Sequence, residues 1–360
     1  MKKKLIILLS LMLMVSASLL GCKKTDAPSS SDVPATNDSS DSSEATKVGL
    51  VLAGGLGDRS FYDSSFEGVE QAKNDLGIEY KVYECRNDSS LFNDQLVQAS
   101  QYGSIVAVVG VEFYDVVQEI AKEFPEVSYI YVDNEIGGIN NLITISYAEN
   151  EGAFLAGALA AMLTTETSIE GIDDGKFIGM VGGRDIPVIR NFQVGYEAGA
   201  KYIDPEITVE TVFAEDFEDP AKGKEYATIL YGKGADIVFQ AAGKTGEGVF
   251  EAAEEMGKYA IGVDTDQRHI NPDVIMASMI KKVGKSIYET IENIQNGNVK
   301  KGMVVYYGLP EDGVGIGYGT DDMPQFVTDE MKAKLEDIKA KIISGEIEVP
   351  VKKLNYETNN

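Results

Sequence analysis

The order of the strand-like and helix-like runs constrains this chain more than anything else in it. "KVGLVLA" from Lys47 reads as a strand, and Phe66, Val69, Ala72 and Leu76 then fall at helical spacing. "IEYKVYE" is a second strand, Phe92, Leu96 and Ala99 mark a helix, "SIVAVVG" is a strand, "EFYDVVQEIAKEF" a helix, and "VSYIYVD" and "LITIS" are strands. After a helix of small residues, "EGAFLAGALAAMLT", the alternation starts again. "KFIGMVGG", "ITVETVFA", "DIVFQAAG", "YAIGVDTD" and "VIMASMI" are strands, with helical "PVIRNFQVGYEAGAKYI", "KGKEYATILYG" and "GEGVFEAAEEMG" between them. Strands that are apolar throughout and alternate with helices build parallel sheets covered on both faces. Two such runs of similar size predict an α/β protein of two doubly wound, Rossmann-like lobes. The boundaries expected are 47–150 for the first lobe and 151–278 for the second. The remaining helix (282–297), the two strands in "MVVYYGLPEDGVGIGYG" and a last helix must be distributed over both lobes. Residues 279–360 are therefore expected to form a multi-strand hinge and shared C-terminal elements.

The amino terminus bears on the compartment. "MKKK" followed by "LIILLSLMLMVSASLL" has the layout of a secretory signal, with an apolar stretch short for a membrane span. It ends in Leu19-Leu20-Gly21-Cys22, which resembles the bacterial lipobox, where the chain is cut before the cysteine and the cysteine is acylated. The expectation is a signal peptide over 1–21, lipidation at Cys22, and a Ser-, Asp- and Pro-rich tether over 22–46 too polar to bury itself. That describes a protein held by a lipid anchor at the outer face of a cell membrane. Only Cys85 is then left, so no internal disulfide is available; at the end of an apolar-alternating run it reads as a small, partly buried residue.

Charge and composition remove several classes of function. Lys and Arg number 32 against 58 Asp and Glu, a formal charge of −26, which disfavours nucleic acid as a partner. One His and two Cys cannot supply His- or Cys-rich metal sites, and the single His argues against a Ser-His-Asp hydrolase. No metal or cofactor is expected. The run Gly55-Leu56-Gly57-Asp58-Arg59-Ser60 approaches the dinucleotide fingerprint, but Ser60 stands in place of the third glycine and Asp58 would repel a pyrophosphate. Gly243-Lys244-Thr245 looks like the end of a phosphate loop, yet Val238 occupies the position of the first glycine.

What remains is a set of strand ends. In open parallel sheets ligands lie beyond the carboxyl ends of the strands. Those ends carry Asp58, Phe61 and Tyr62; Asp133 and Asn134; the segment from Arg184 to Phe192; Gly243 to Gly246; Asp264 and Asp266; and Lys281. Singly, such an acid is commonly a helix cap and such a Phe a core residue. Together they suit a neutral polyhydroxylated ring, with carboxylates accepting from hydroxyls and aromatics covering an apolar face.

These residues resemble the basic membrane protein family of lipoproteins over nearly all of Lys47 to Pro350. The likeness rests on "GDRSFYDSSFEG", "EGAFLAGALAAMLT", "GMVGGRDIPVIRNFQVGYEAGA", "VFQAAGKTGEGVFEAA", "IGVDTDQ", "ASMIKKVG" and "YGLPEDGVGIGYG", in order and behind a lipobox. The resemblance implies a type I periplasmic binding protein fold and a receptor that hands nucleosides, purine ones in the best-understood case, to the permease and ATPase subunits of an ABC importer. It implies that Phe61 and Phe192 stack on the two faces of the base, and that Asp58 and Asp133 hydrogen-bond the base or its neighbour. Asp264 and Lys281 would hold the ribose hydroxyls, and Gly243 would let backbone approach the ligand. Tyr62 departs from the family, which more often has Asn there, and this bears on base preference. Two rivals remain open on sequence: a nucleosidase, and a sensing receptor for another small polar solute such as a sugar or flavin.

Overall fold

The structure, a computed structural model, describes residues 45–173, 175–299 and 302–352. The expected signal segment and Cys22 lie outside them. The first half of the described chain runs β1 (Lys47–Leu52), α1 (Phe61–Leu76), β2 (Glu79–Glu84), α2 (Phe92–Tyr102), β3 (Ile105–Val109), α3 (Tyr114–Glu123), β4 (Ser128–Val132) and β5 (Leu142–Tyr147). The long α4 (Glu149–Leu163) then leads into β6 (Phe177–Gly182), α5 (Pro187–Ile203), β7 (Thr208–Phe213), α6 (Pro220–Gly232), β8 (Ile237–Ala241), α7 (Glu247–Met256), β9 (Tyr259–Asp264) and β10 (Ile275–Lys281). Last come α8 (Val283–Gln295), β11 (Val304–Tyr307), β12 (Val314–Gly317) and α9 (Asp329–Ile343).

Two six-stranded sheets result, in the orders β11-β5-β4-β3-β1-β2 and β12-β10-β9-β8-β6-β7. The two orders superimpose strand for strand: β1 corresponds to β6, β4 to β9, and β5 to β10. All pairings are parallel except that of β12 with β10. The central strands β1, β3, β4, β8 and β9 are buried nearly throughout, as their unbroken apolar runs require, while the edge strands β2 and β7 are half exposed.

The chain passes between the sheets three times: from β5 into α4, from β10 into α8, and from β11 to β12. α8 packs on α1 of the first sheet, whereas α4 packs on α5, β10 and β12 of the second. Each crossing is short. The small residues of α4 explain its position. A Cβ on Gly157 would stand 1.9 Å from the Tyr196 carbonyl oxygen, so α4 and α5 meet backbone to backbone. Cys85, expected to be partly exposed, is wholly buried in the core beside β1, and burial pushes its thiol up to about 11.

Candidate functional site

The carboxyl ends of both sheets face each other across a cleft, and the site is built where they meet. On the first-sheet side the loop after β1 is tied to α1 by two acids. Asp63 accepts from the N–H groups of Gly57 and Arg59, both at 2.8 Å. Asp58 accepts from the backbone of Ser60 (3.1 Å), Tyr62 (2.9 Å) and Asp63 (3.0 Å). A carboxylate on the first free N–H groups of a helix is favoured by the helix dipole. Burial nonetheless pushes the Asp58 carboxyl up to about 7, against those three hydrogen bonds. The cap fixes where α1 starts, and Phe61, its first residue, faces the cleft with Tyr62 beside it, ring centroids 5.4 Å apart.

Asp133 follows β4 and Asp264 ends β9, equivalent places in the two sheets, and each has φ of +64°. That left-handed backbone is uncommon for a residue with a side chain and concentrates where geometry serves a site. On the second-sheet side, Ile186 and Pro187 open α5, which carries Val188, Ile189 and Phe192 to the cleft. Phe217 comes from the loop after β7. Its ring lies against Gly183, where a Cβ would be only 2.1 Å away.

These residues line one cavity, which leaves about 70 Å³ of room for the centres of water-sized molecules. All eight residues singled out in the sequence are on its wall: Asp58, Phe61, Tyr62, Asp133, Phe192, Gly243, Asp264 and Lys281. Phe192 also packs on Phe239, so it is at once core and wall. Two other strand-end candidates turn inward. Asn134 is buried and donates to the Tyr131 hydroxyl, and Asp266 accepts from the N–H groups of Arg268 and Gly319.

The electrostatic centre is Lys281, 2 % exposed. Its Nζ lies 2.5 Å from Asp133 Oδ1 and 3.3 Å from Glu149 Oε1. The rings of Tyr147, Phe61 and Phe192 surround it, with centroids at 4.7, 5.1 and 5.8 Å. Burial alone would lower the ammonium, but the charges of Asp133, Glu149 and Asp264 outweigh it and hold Lys281 above its ordinary value. The carboxylates respond in the opposite direction. Burial pushes Asp264 up to about 6 and Glu149 up to about 7, each against the pull of Lys281. One buried ammonium facing several carboxyls offers donors and acceptors to hydroxyl groups and has no surplus positive charge for a phosphate.

The sequence reading missed Glu112, Glu149, Phe217 and the contacts that close the cleft. Arg184 Nη1 reaches Glu112 Oε1 across it at 2.9 Å. Ser60 Oγ donates to Asp264. The Arg59 carbonyl accepts from Thr265 Oγ1 at 3.1 Å and Gln267 Nε2 at 3.0 Å. The two sides are thus latched together around the cavity.

A parallel and a mixed sheet joined by three crossings, with a cavity between their carboxyl ends, define a two-sided solute-binding architecture. Known structures agree. A solute-binding protein of an ABC transporter system from Aeropyrum pernix superimposes with a TM-score of 0.77 at 24 % identity, covering 87 % of this chain and 95 % of that one. The chain belongs to the Bmp family, ABC transporter substrate-binding proteins described as PnrA-like, whose pattern matches residues 45–353. It is 33 % identical to basic membrane protein A1 of Borrelia garinii over 88 % of this chain and 91 % of that one. It is 32 % identical to the ABC transporter nucleoside-binding protein BmpA of Lactococcus lactis, over 98 % of this chain and all of that one.

Proposed function

We propose that the protein is a lipid-anchored receptor that captures a nucleoside, a purine one, and presents it to the permease and ATPase of an ABC importer. The observation that carries this reading is the make-up of the cavity. Two aromatic rings from opposite sheets, Phe61 and Phe192, flank a space lined by carboxylates and a single buried ammonium. The similarity to a relative named as nucleoside-binding supports it. In this reading the base lies between the two rings, with Asp58 and Tyr62 near its edge. The ribose hydroxyls donate to Asp133 and Asp264 and accept from Lys281, while Gly243 lets backbone come close. Lobes over 47–150 and 151–278 open and close about the crossings, residues 279–360 being shared between them. A ligand touching both sides binds the closed form better and shifts the population toward it. Closure would be the state the permease recognises. Cys22 is the anchor that keeps the receptor at the outer membrane face.

Mass spectrometry of small molecules retained by the purified protein tests the reading. A purine nucleoside released on denaturation is the expected result. A retained sugar or flavin would redirect it to another solute, and free base accumulating from added nucleoside would make the protein an enzyme.

A further inference from the structure

Glu149 is fully buried, in the first turn of α4, where the chain has just left the first sheet for the second. It does not line the cavity. Neither of its carboxylate oxygens has a hydrogen bond of regular geometry, and the cation beside it is Lys281, at 3.3 Å. The titratable groups facing it are Lys281 from β10, Asp133 beyond β4, Asp264 of β9 through the same ammonium, and the Tyr147 phenol of β5, bonded to Ser286. An ammonium has three N–H groups. Asp133 on the cavity wall and Glu149 behind it lie where they can engage two of them, and the third is left for whatever enters.

We propose that Glu149 is a positioning residue of the ligand site: its carboxylate fixes the Lys281 ammonium so that a free N–H is aimed at the ligand. The inference rests on the nucleoside reading only for what Lys281 then holds. Protonation of Glu149 removes one of two anchors and leaves the ammonium to Asp133. Burial pushes Glu149 up to about 7, so the anchor is lost as pH falls through the neutral range.

The test has two arms on the full-length protein. In the first, nitrogen-15 NMR follows the lysine ammonium signals of the unliganded protein against pH. The Lys281 signal should show a step near pH 7 that is absent in Glu149→Gln, while any step from Asp264 near pH 6 persists in both. In the second, inosine affinity is measured for both proteins from about pH 5.5 to about pH 8.5. The ratio of wild-type to Glu149→Gln affinity should rise from near one to about tenfold, the scale of a charge-assisted contact. The contribution of Asp58 cancels in that ratio. Glu149→Asp keeps the charge and should keep the pH dependence with smaller amplitude; it also serves if the Gln variant does not fold. A ratio constant across pH, or a Lys281 step unchanged in Glu149→Gln, overturns the proposal. If the wild type binds no nucleoside but the step vanishes in Glu149→Gln, the nucleoside reading fails and the Glu149–Lys281 assignment stands.

Discussion

Replacing Lys281 by Met removes the one cation in a nest of buried carboxyls, and the cost can be worked from the geometry. Lys281 is 2.5 Å from Asp133 and 3.3 Å from Glu149, with Asp264 close enough to be pulled by its charge. Met fills similar volume, so packing is conserved and the change is mainly electrostatic. Breaking a buried ion pair by deleting one partner costs about 3–5 kcal/mol, because the other charge is left unpaired. Here the orphaned carboxyls have an escape, which is to protonate. Asp264 and Glu149 stand near 6 and 7 in the folded protein, against ordinary values of 3.8 and 4.5. Without the ammonium both move higher. The folded state then binds more protons than the unfolded one, so the variant's stability holds on the acid side and falls as pH rises from roughly 4 through the folded values. The expected loss relative to wild type is about 1 kcal/mol near pH 5 and about 3–5 kcal/mol near pH 8. Urea unfolding followed by circular dichroism at the two pH values measures it. An equal loss at both would refute the reasoning, and so would a loss below about 1 kcal/mol at pH 8. Adding Asp133→Asn to the variant should recover part of the loss at high pH.

Three other outcomes follow from particular residues. Phe61→Ala should leave the fold intact and weaken nucleoside binding by about 1–3 kcal/mol, measured by calorimetry, through lost area and stacking. Gly157→Ala drives a methyl into the Tyr196 carbonyl and must push α4 off α5; a stability loss of at least about 1–3 kcal/mol in thermal unfolding is expected, with no loss contradicting the backbone contact. Cys22→Ala should release the protein from the membrane fraction or leave uncut precursor, and unchanged attachment with a processed amino terminus would reject lipidation.

The fold and much of the candidate site could be read from the chain because both follow local rules. Unbroken apolar runs such as "IVAVV" mark buried strands, and small residues such as Gly157 mark close helix contacts. Strand ends point to the cleft by topology alone, which is why Asp133, Asp264 and Lys281 could be named before their positions were known. What stayed hidden depends on partners distant in sequence. Glu149 reads as an ordinary acid in a helix's first turn, and only the packing of α4 on β10 sets it beside Lys281. Arg184 and Glu112 lie 72 residues apart and meet only across the cleft. Phe217 comes from the loop after an edge strand, where no apolar run draws attention to it. Asp58 illustrates the converse. Its position on the cavity wall was legible, but its three bonds to the start of α1 were not, since they need the loop's conformation.

The central claim is that the cavity is made for a neutral, hydroxylated ring system. Calorimetric titration of the purified protein with guanosine, adenosine and inosine, each against its 5′-monophosphate, tests it most directly. At least one nucleoside should bind at micromolar affinity or tighter, about −8 kcal/mol. Its monophosphate should bind far more weakly, because the added charge meets Asp58, Asp133 and Asp264 with Lys281 already engaged. A monophosphate that bound as well as its nucleoside, or no binding by any of the three nucleosides, would contradict the account.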